Sequence, residues 1–303
     1  MIIPRNFIKG DTIGVIAPAS PVSKKRADKS KKVLENMGFK VKMGESCYSK
    51  YGGYLSGEDN LRANDVNNMF ADDEVDAVIC IRGGYGCSRI LDKINFEIIK
   101  KNPKLFVGYS DVTALHIAFN QIADLVTYHG PMLSSNMVDS FDEFTKMSFL
   151  KFINIENNLE VKNPKGIKIK TLVKGKALGQ IVGGNLSIIC SMMGTKYEID
   201  TKGKILFIED IGERPFRIDR MLTQLALSGK LNECIGIIIG DFAGCNPEEE
   251  SFTLMEVIED RIKPFNKPTI YNLKSGHCHP MVTLPLGIMC ELNADNQKII
   301  IKS

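Results

Sequence analysis

What most constrains this chain is an alternation, through its first half, of short runs apolar on both faces with stretches of helical period. Thr12-Ile-Gly-Val-Ile-Ala-Pro18, Val75-Asp-Ala-Val-Ile-Cys-Ile81 and Leu105-Phe-Val-Gly108 are such runs. A strand that buries both faces belongs in a parallel sheet covered by helices. Between them, Ser23 to Met37 reads as a Lys-rich surface helix stopped at Gly38, a residue that accepts the left-handed conformation of a helix end. Ser56-Gly-Glu-Asp59 has the form of a capping box and predicts a helix to about Phe70. Val112 to Gln121 predicts another, directly after Leu105–Gly108. Strands alternating with helices give parallel pairing and a doubly wound α/β sheet.

The character changes near residue 140. Phe141 to Ile153 is amphipathic, and the Lys-rich segment Lys162 to Lys176 carries Pro164, Gly166 and Gly175. Those lysines read as the solvated face of a connection, with a basic docking patch as the rival reading. The expected organisation is an N-terminal α/β domain over 1–150, a linker over 151–175 and a mixed α/β domain over 176–303. In the second half, Lys204 to Ile208 and Ile235 to Ile239 read as buried strands, and Phe216 to Leu227 and Phe252 to Ile262 as helices. Ile288 to Leu292 and Lys298 to Lys302 read as a closing hairpin.

Composition narrows the class. With 303 residues, 44% of them hydrophobic and 25% charged, the chain builds real cores and is not a disordered or collagen-like sequence. A net charge of +3, from 39 basic and 36 acidic residues, is smaller than a phosphate-driven nucleic-acid binder carries. No apolar run reaches the roughly 18–20 residues of a membrane span. The first ten residues lack a signal peptide's apolar region and cleavage site, and the eight cysteines are scattered without a CxxC pair. The expectation is a soluble cytoplasmic protein with neither a membrane nor a nucleic-acid partner.

Chemistry concentrates at Leu105-Phe-Val-Gly-Tyr-Ser-Asp-Val-Thr-Ala-Leu115. A serine between an apolar strand and a helix start sits on a sharp turn with its hydroxyl exposed, as in a nucleophile elbow, although the spacing is not GxSxG. Ser110 is then either a nucleophile or a helix cap. A nucleophile needs a base, and the chain has four histidines: His116, His129, His277 and His279. His116 lies within the following helix, pointing elsewhere; His129 follows a short strand at the same sheet edge. His277 and His279 share the loop Ser275-Gly-His-Cys-His-Pro280, which Gly276 and Pro280 mark as a specified turn. Glu209 or Asp210, at the end of Lys204–Ile208, is placed to orient an imidazole, or else caps a helix. His277 and His279 also offer two metal ligands on one extended face, but no second cluster has ligand spacing. Arg82-Gly-Gly-Tyr-Gly86 lacks the GxGxxG order of a dinucleotide loop, and its glycines make better sense as backbone donors to an anionic intermediate.

Several of these segments together resemble the LD-carboxypeptidases, the serine peptidases of the muramoyl-tetrapeptide carboxypeptidase and microcin C immunity type. They are Asp11–Ser20, Arg82–Gly86, Gly108-Tyr-Ser-Asp111, Gly183-Gly-Asn185, Phe207–Asp210 with Phe216–Leu222, and Gly276-His277 followed by Leu284–Gly287, in order along the chain from about residue 5 to 300. The resemblance implies an N-terminal flavodoxin-like domain and a smaller C-terminal mixed α/β domain, with the active site between them. It assigns Ser110 as nucleophile, Glu209 as acidic orienter and His277 as base. It also points to amides around Gly83 and Gly84 and that of Asp111 for the oxyanion hole. It implies no cofactor and no metal, a small peptide substrate, and a homodimer. The activity implied is release of the C-terminal D-alanine of murein tetrapeptides; cleavage of peptidyl- or aminoacyl-nucleotides is the alternative. The lack of tryptophan, an aromatic that would stack on a base, speaks against that alternative. An exopeptidase also needs a group for the terminal carboxylate, for which Arg82, Arg214, Arg217 and Arg220 are candidates, Arg220 reading more as part of a helix-face ion pair.

Overall fold

The computed structural model describes residues 1–154, 158–247 and 250–302. The chain divides into two compact units, Met1–Ile155 and Glu156–Ser303.

In the first unit, β1 (Thr12–Ile16), β2 (Lys40–Met43), β3 (Ala77–Cys80), β4 (Leu105–Gly108) and β5 (Thr127–His129) run parallel in the order β5-β4-β3-β1-β2. This is the flavodoxin-like strand order, as expected for a doubly wound sheet. The helices of the unit are α1 (Lys24–Asn36), α2 (Asp59–Ala71), α3 (Cys87–Ile90), α4 (Phe96–Lys101), α5 (Thr113–Ile122) and α6 (Glu143–Phe152). The chain steps from β1 outward to β2, then back across to β3, so right-handed crossovers lay α1 and α2 on opposite faces. Phe106 of β4 and Phe119 of α5 meet edge-to-face at 4.8 Å, and Phe70 of α2 joins them at 5.6 Å from Phe119. The strand order reverses at β1 and β3, and ligands of such sheets gather at the carboxyl ends beside that switch.

Ser23 caps α1 by accepting from the Arg26 amide at 3.2 Å. Ser56 does not cap α2: Glu58 holds the N-cap position, and Ser56 is buried with its hydroxyl donating to the Ala17 and Ala19 carbonyls. Buried carbonyls after β1 need donors, and that demand outweighs the local capping option.

The second unit holds strands β6 (Leu159–Val161), β7 (Lys170–Val173), β8 (Lys176–Asn185), β9 (Ile205–Ile211), β10 (Gly236–Ala243), β11 (Thr269–Tyr271), β12 (Leu284–Leu286), β13 (Met289–Asn293) and β14 (Lys298–Lys302), all but β12 in one mixed sheet. β12 apart, its order is β6-β14-β13-β8-β9-β10-β11-β7, parallel from β8 to β11 and antiparallel outside them. Its helices are α7 (Leu186–Ser191), α8 (Pro215–Leu227), α9 (Lys230–Glu233) and α10 (Leu254–Ile262), the last opened by a capping box of Thr253 and Glu256. The segment expected as a linker, 151–175, contributes β6 and β7, the two edge strands. Edge strands are short and tolerate lysine, so they lack the apolar run that marks a central strand. Glu209 and Asp210 lie within β9 rather than after it. Among the described residues no helix is long and apolar enough to cross a membrane.

Candidate active site

Ser110 follows β4 with a backbone φ of +64°. A non-glycine residue rarely adopts this left-handed conformation, which turns the chain sharply from strand into the Ser110–Val112 turn and α5. Gly83 lies against it: a Cβ there would stand 3.0 Å from the Ser110 Cβ and 3.2 Å from its Oγ. The main chain at Gly83 therefore approaches the hydroxyl so closely that any side chain there would press on it.

Arg62 of α2, which the sequence reading passed over, is fully buried. Its guanidinium donates to the carbonyls of Pro18, Gly86 (2.8 Å) and Gly57 (3.2 Å) and pairs with Asp59. One planar fork thus ties the loops after β1 and β3 to the start of α2. Its only sequence signal is an arginine among the apolar positions of that helix.

Asp111 is buried too, and its Oδ2 accepts from the Cys87 amide at 2.7 Å, anchoring the start of α3. Burial raises the Asp111 pKa. His116 faces away from the turn's exposed side: it is fully buried, with Nε2 2.9 Å from the Gly108 carbonyl, and burial lowers its pKa to about 4. His129 is buried in β5, its ring 5.8 Å from that of Tyr109. Arg82 is half-buried and donates to main-chain carbonyls, Gly83 at 3.2 Å and Pro21 at 3.5 Å. Tyr54 and Tyr85, exposed and in ring contact, flank the Gly83–Gly84 loop; the chain therefore offers an aromatic surface despite having no tryptophan.

In the second unit, Glu209 sits near the carboxyl end of β9, opposite Asn185 of β8. It is fully buried, and its Oε2 lies 2.8 Å from Nδ1 of His277. Burial raises the carboxyl's pKa, while the contact with His277 lowers it. Gly276 has a φ of +121°, and a Cβ there would fall 2.5 Å from Glu209 Oε2; glycine before His277 is what lets the loop close on the carboxylate. Asp210 has different work. Its Oδ1 accepts from Asn185 Nδ2 (3.0 Å), and its Oδ2 from the Ser187 amide (2.9 Å) and hydroxyl (2.7 Å), so it secures the start of α7. His279 is exposed, and among the described residues no group of three or more His, Cys, Asp or Glu side chains is arranged to hold a metal ion.

The other arginines are engaged differently from the helix-face pair expected of Arg217-Ile-Asp-Arg220. Arg217 meets Glu213 at 3.5 Å, Arg220 lies over the Phe216 ring at 5.6 Å, and Asp219 pairs instead with Arg261 at 2.8 Å.

Residues 13–130 match the model of the LD-carboxypeptidase N-terminal domain, and residues 178–292 that of the LD-carboxypeptidase C-terminal domain. The chain belongs to the LD-carboxypeptidase family. It is 44% identical to a probable murein peptide carboxypeptidase of Bacillus subtilis, over 99% of this chain and 94% of that one. The microcin C7 self-immunity protein MccF of Escherichia coli is 28% identical over 96% and 93% of the two chains. The crystal structure of a muramoyltetrapeptide carboxypeptidase from Oxalobacter formigenes matches with a TM-score of 0.84 and 28% identity, covering 96% of this LD-carboxypeptidase chain and 97% of that one.

Proposed function

We propose that this LD-carboxypeptidase family member is a serine hydrolase that releases the C-terminal D-alanine of murein tetrapeptides, acting in the cytoplasm on recycled wall peptides. The observation that carries the chemistry is the pairing of His277 with the fully buried Glu209. A carboxylate on Nδ1 fixes the imidazole tautomer, leaves Nε2 as the base and stabilises the imidazolium that forms. In this reading Ser110 is the nucleophile, and its strained turn presents the hydroxyl.

The reaction is acyl transfer. Nε2 of His277 takes the Ser110 proton as Oγ adds to the carbonyl on the L side of an L–D peptide bond. Main-chain amides of Gly83, Gly84 and Asp111 serve the oxyanion, and such preorganised donors are worth about 10²–10³ in rate each. His277 then protonates the departing D-alanine nitrogen, and water, deprotonated in turn by His277, releases the acyl group. Arg82 takes the terminal carboxylate: its guanidinium is bonded to main-chain carbonyls rather than to a carboxylate, which leaves its charge for the substrate.

Mass spectrometry of a murein tetrapeptide incubated with wild type and with Ser110→Ala tests this. Loss of one alanine with wild type alone supports substrate class and nucleophile together. Cleavage that survives in Ser110→Ala overturns the serine mechanism. An intact tetrapeptide, with cleavage of an aminoacyl sulfamoyl adenosine, moves the substrate to an aminoacyl-nucleotide.

A further inference from the structure

We propose that Tyr54 and Tyr85 form a stacking platform for a sugar ring of the substrate, the N-acetylated pyranose at the amino end of a murein peptide. This rests on the murein-peptide reading above. The two rings touch, with centroids 5.8 Å apart and planes tilted by 49°, yet they are 53% and 47% exposed. Contiguous apolar surface left in water beside a site is the ordinary mark of a binding surface.

The platform is held rigidly. Tyr54 lies in a tight hairpin closed by two hydrogen bonds, Tyr51 amide to Leu55 carbonyl (2.8 Å) and Leu55 amide to Tyr51 carbonyl (3.1 Å), with Leu55 buried as its anchor. The Tyr85 amide donates to Ser20 Oγ at 3.1 Å, and the next carbonyl, Gly86, is held by Arg62. A preorganised surface loses little entropy on binding.

Its location fits the far end of a tetrapeptide. Tyr85 is two residues beyond Gly83, which lies against Ser110. At 3.8 Å per Cα step, its Cα lies within about 8 Å of that of Gly83 and its side chain reaches a few ångströms further, a span that includes points about 10 Å from the nucleophile. In a tetrapeptide the sugar is joined three residues before the scissile bond, also about 10 Å for an extended chain. The tilt and close spacing leave no parallel slot for a flat base between the rings. A pyranose instead lays its C–H face on an open ring, with the phenol hydroxyls near its hydroxyl and acetamido groups.

The test is the ratio of kcat/KM for N-acetylmuramoyl-tetrapeptide to that for free tetrapeptide. The expected ratio is about 10 in wild type, equivalent to about 1.4 kcal/mol, falling towards 1 in Tyr54→Ala and Tyr85→Leu and largely kept in Tyr54→Phe. A wild-type ratio of 1, or a ratio unchanged in both truncations, overturns the platform. For a variant without turnover, saturation-transfer NMR of methyl N-acetylmuramoside with Ser110→Ala protein gives a second reading. Sugar contacts that vanish when Tyr54→Ala is added support the platform, and their absence in Ser110→Ala alone overturns it. Wild type that cleaves neither peptide overturns the murein reading beneath it. Cleavage of an aminoacyl sulfamoyl adenosine that slows in Tyr54→Ala assigns the rings to a base and overturns the sugar.

Discussion

His277 presents Nδ1 to Oε2 of a fully buried Glu209 at 2.8 Å, across a loop that closes only because residue 276 is glycine. An imidazole held this way has one tautomer and one orientation. Glu209→Gln keeps the shape and inverts the preference, since an amide can donate to Nδ1 and drive the proton to Nε2. We expect kcat to fall by about 10³–10⁴ with KM changed by no more than a few-fold, by analogy with triads in general. Steady-state kinetics on the tetrapeptide checks this, and a fall confined to KM would refute an orienting role.

Removing the histidine tests the same pair through stability. Burial raises the Glu209 pKa and His277 holds it down, so His277→Ala leaves a buried carboxylate without its partner and raises that pKa further. A carboxyl with a raised folded-state pKa contributes stability that is present below its unfolded value, near 4.5, and lost as pH rises through the folded value. His277→Ala is therefore expected to be about 3 kcal/mol less stable than wild type at pH 8, with a smaller deficit at pH 5. Urea denaturation at both pH values measures it; a deficit that does not depend on pH would point to lost packing instead.

Ser110 carries backbone strain at a φ of +64°. Ser110→Gly removes the nucleophile and the strain together, so the variant is inactive yet more stable, by about 1 kcal/mol. Ser110→Ala, which keeps a Cβ, is inactive without that gain. Thermal melts of the three proteins decide it: equal stability of the glycine and alanine variants would mean the turn is not strained.

The central strands β1, β3 and β4 of the first unit were legible because such strands are apolar on both faces, as in Val75–Ile81 and Leu105–Gly108, whereas its edge strand β2, with Lys40 and Lys42, was not. The edge strands β6 and β7 were not, since lysine is tolerated where one side faces water. Nor was β8, where Gly179, Gly183 and Gly184 interrupt the apolar run. At the candidate site, Ser110 and Glu209 stood out by sitting near strand ends, while His277 was singled out from His279 only by the family resemblance. Asp210 could not be separated from Glu209 by position, because what distinguishes them is the helix start that Asp210 holds through Ser187. Arg62 was hidden because its role lies in carbonyls supplied by segments 44 residues before and 24 after it.

That buried arginine gives a fourth prediction. Its fork serves three carbonyls and Asp59 at once, and a lysine ammonium can match its charge but not its planar geometry. Arg62→Lys leaves carbonyls of Pro18, Gly57 or Gly86 unsatisfied, a cost of about 1–3 kcal/mol each. It also loosens the loop that carries Gly83 and Gly84. We expect a lower melting temperature together with a fall in kcat of about 10-fold or more, the rate loss persisting at temperatures where circular dichroism shows the variant fully folded. Rate and stability both left at the wild-type level in Arg62→Lys would assign Arg62 to charge alone.

His116 supplies a pH dependence independent of the catalytic pair. Its Nε2 reaches the Gly108 carbonyl, two residues before Ser110, and burial lowers its pKa to about 4 from an ordinary 6.5. The folded protein thus holds His116 neutral over a range where the unfolded chain binds a proton. Stability is complete above pH 6.5 and is lost as pH falls from there towards 4. The loss between pH 7 and pH 5 amounts to about 2 kcal/mol from this group. His116→Gln places an amide donor near the same carbonyl without titrating, so its stability changes by about 2 kcal/mol less than wild type over that interval. Chemical denaturation at pH 7 and pH 5 gives both differences, and parallel curves for the two proteins would show that His116 is not the group that titrates.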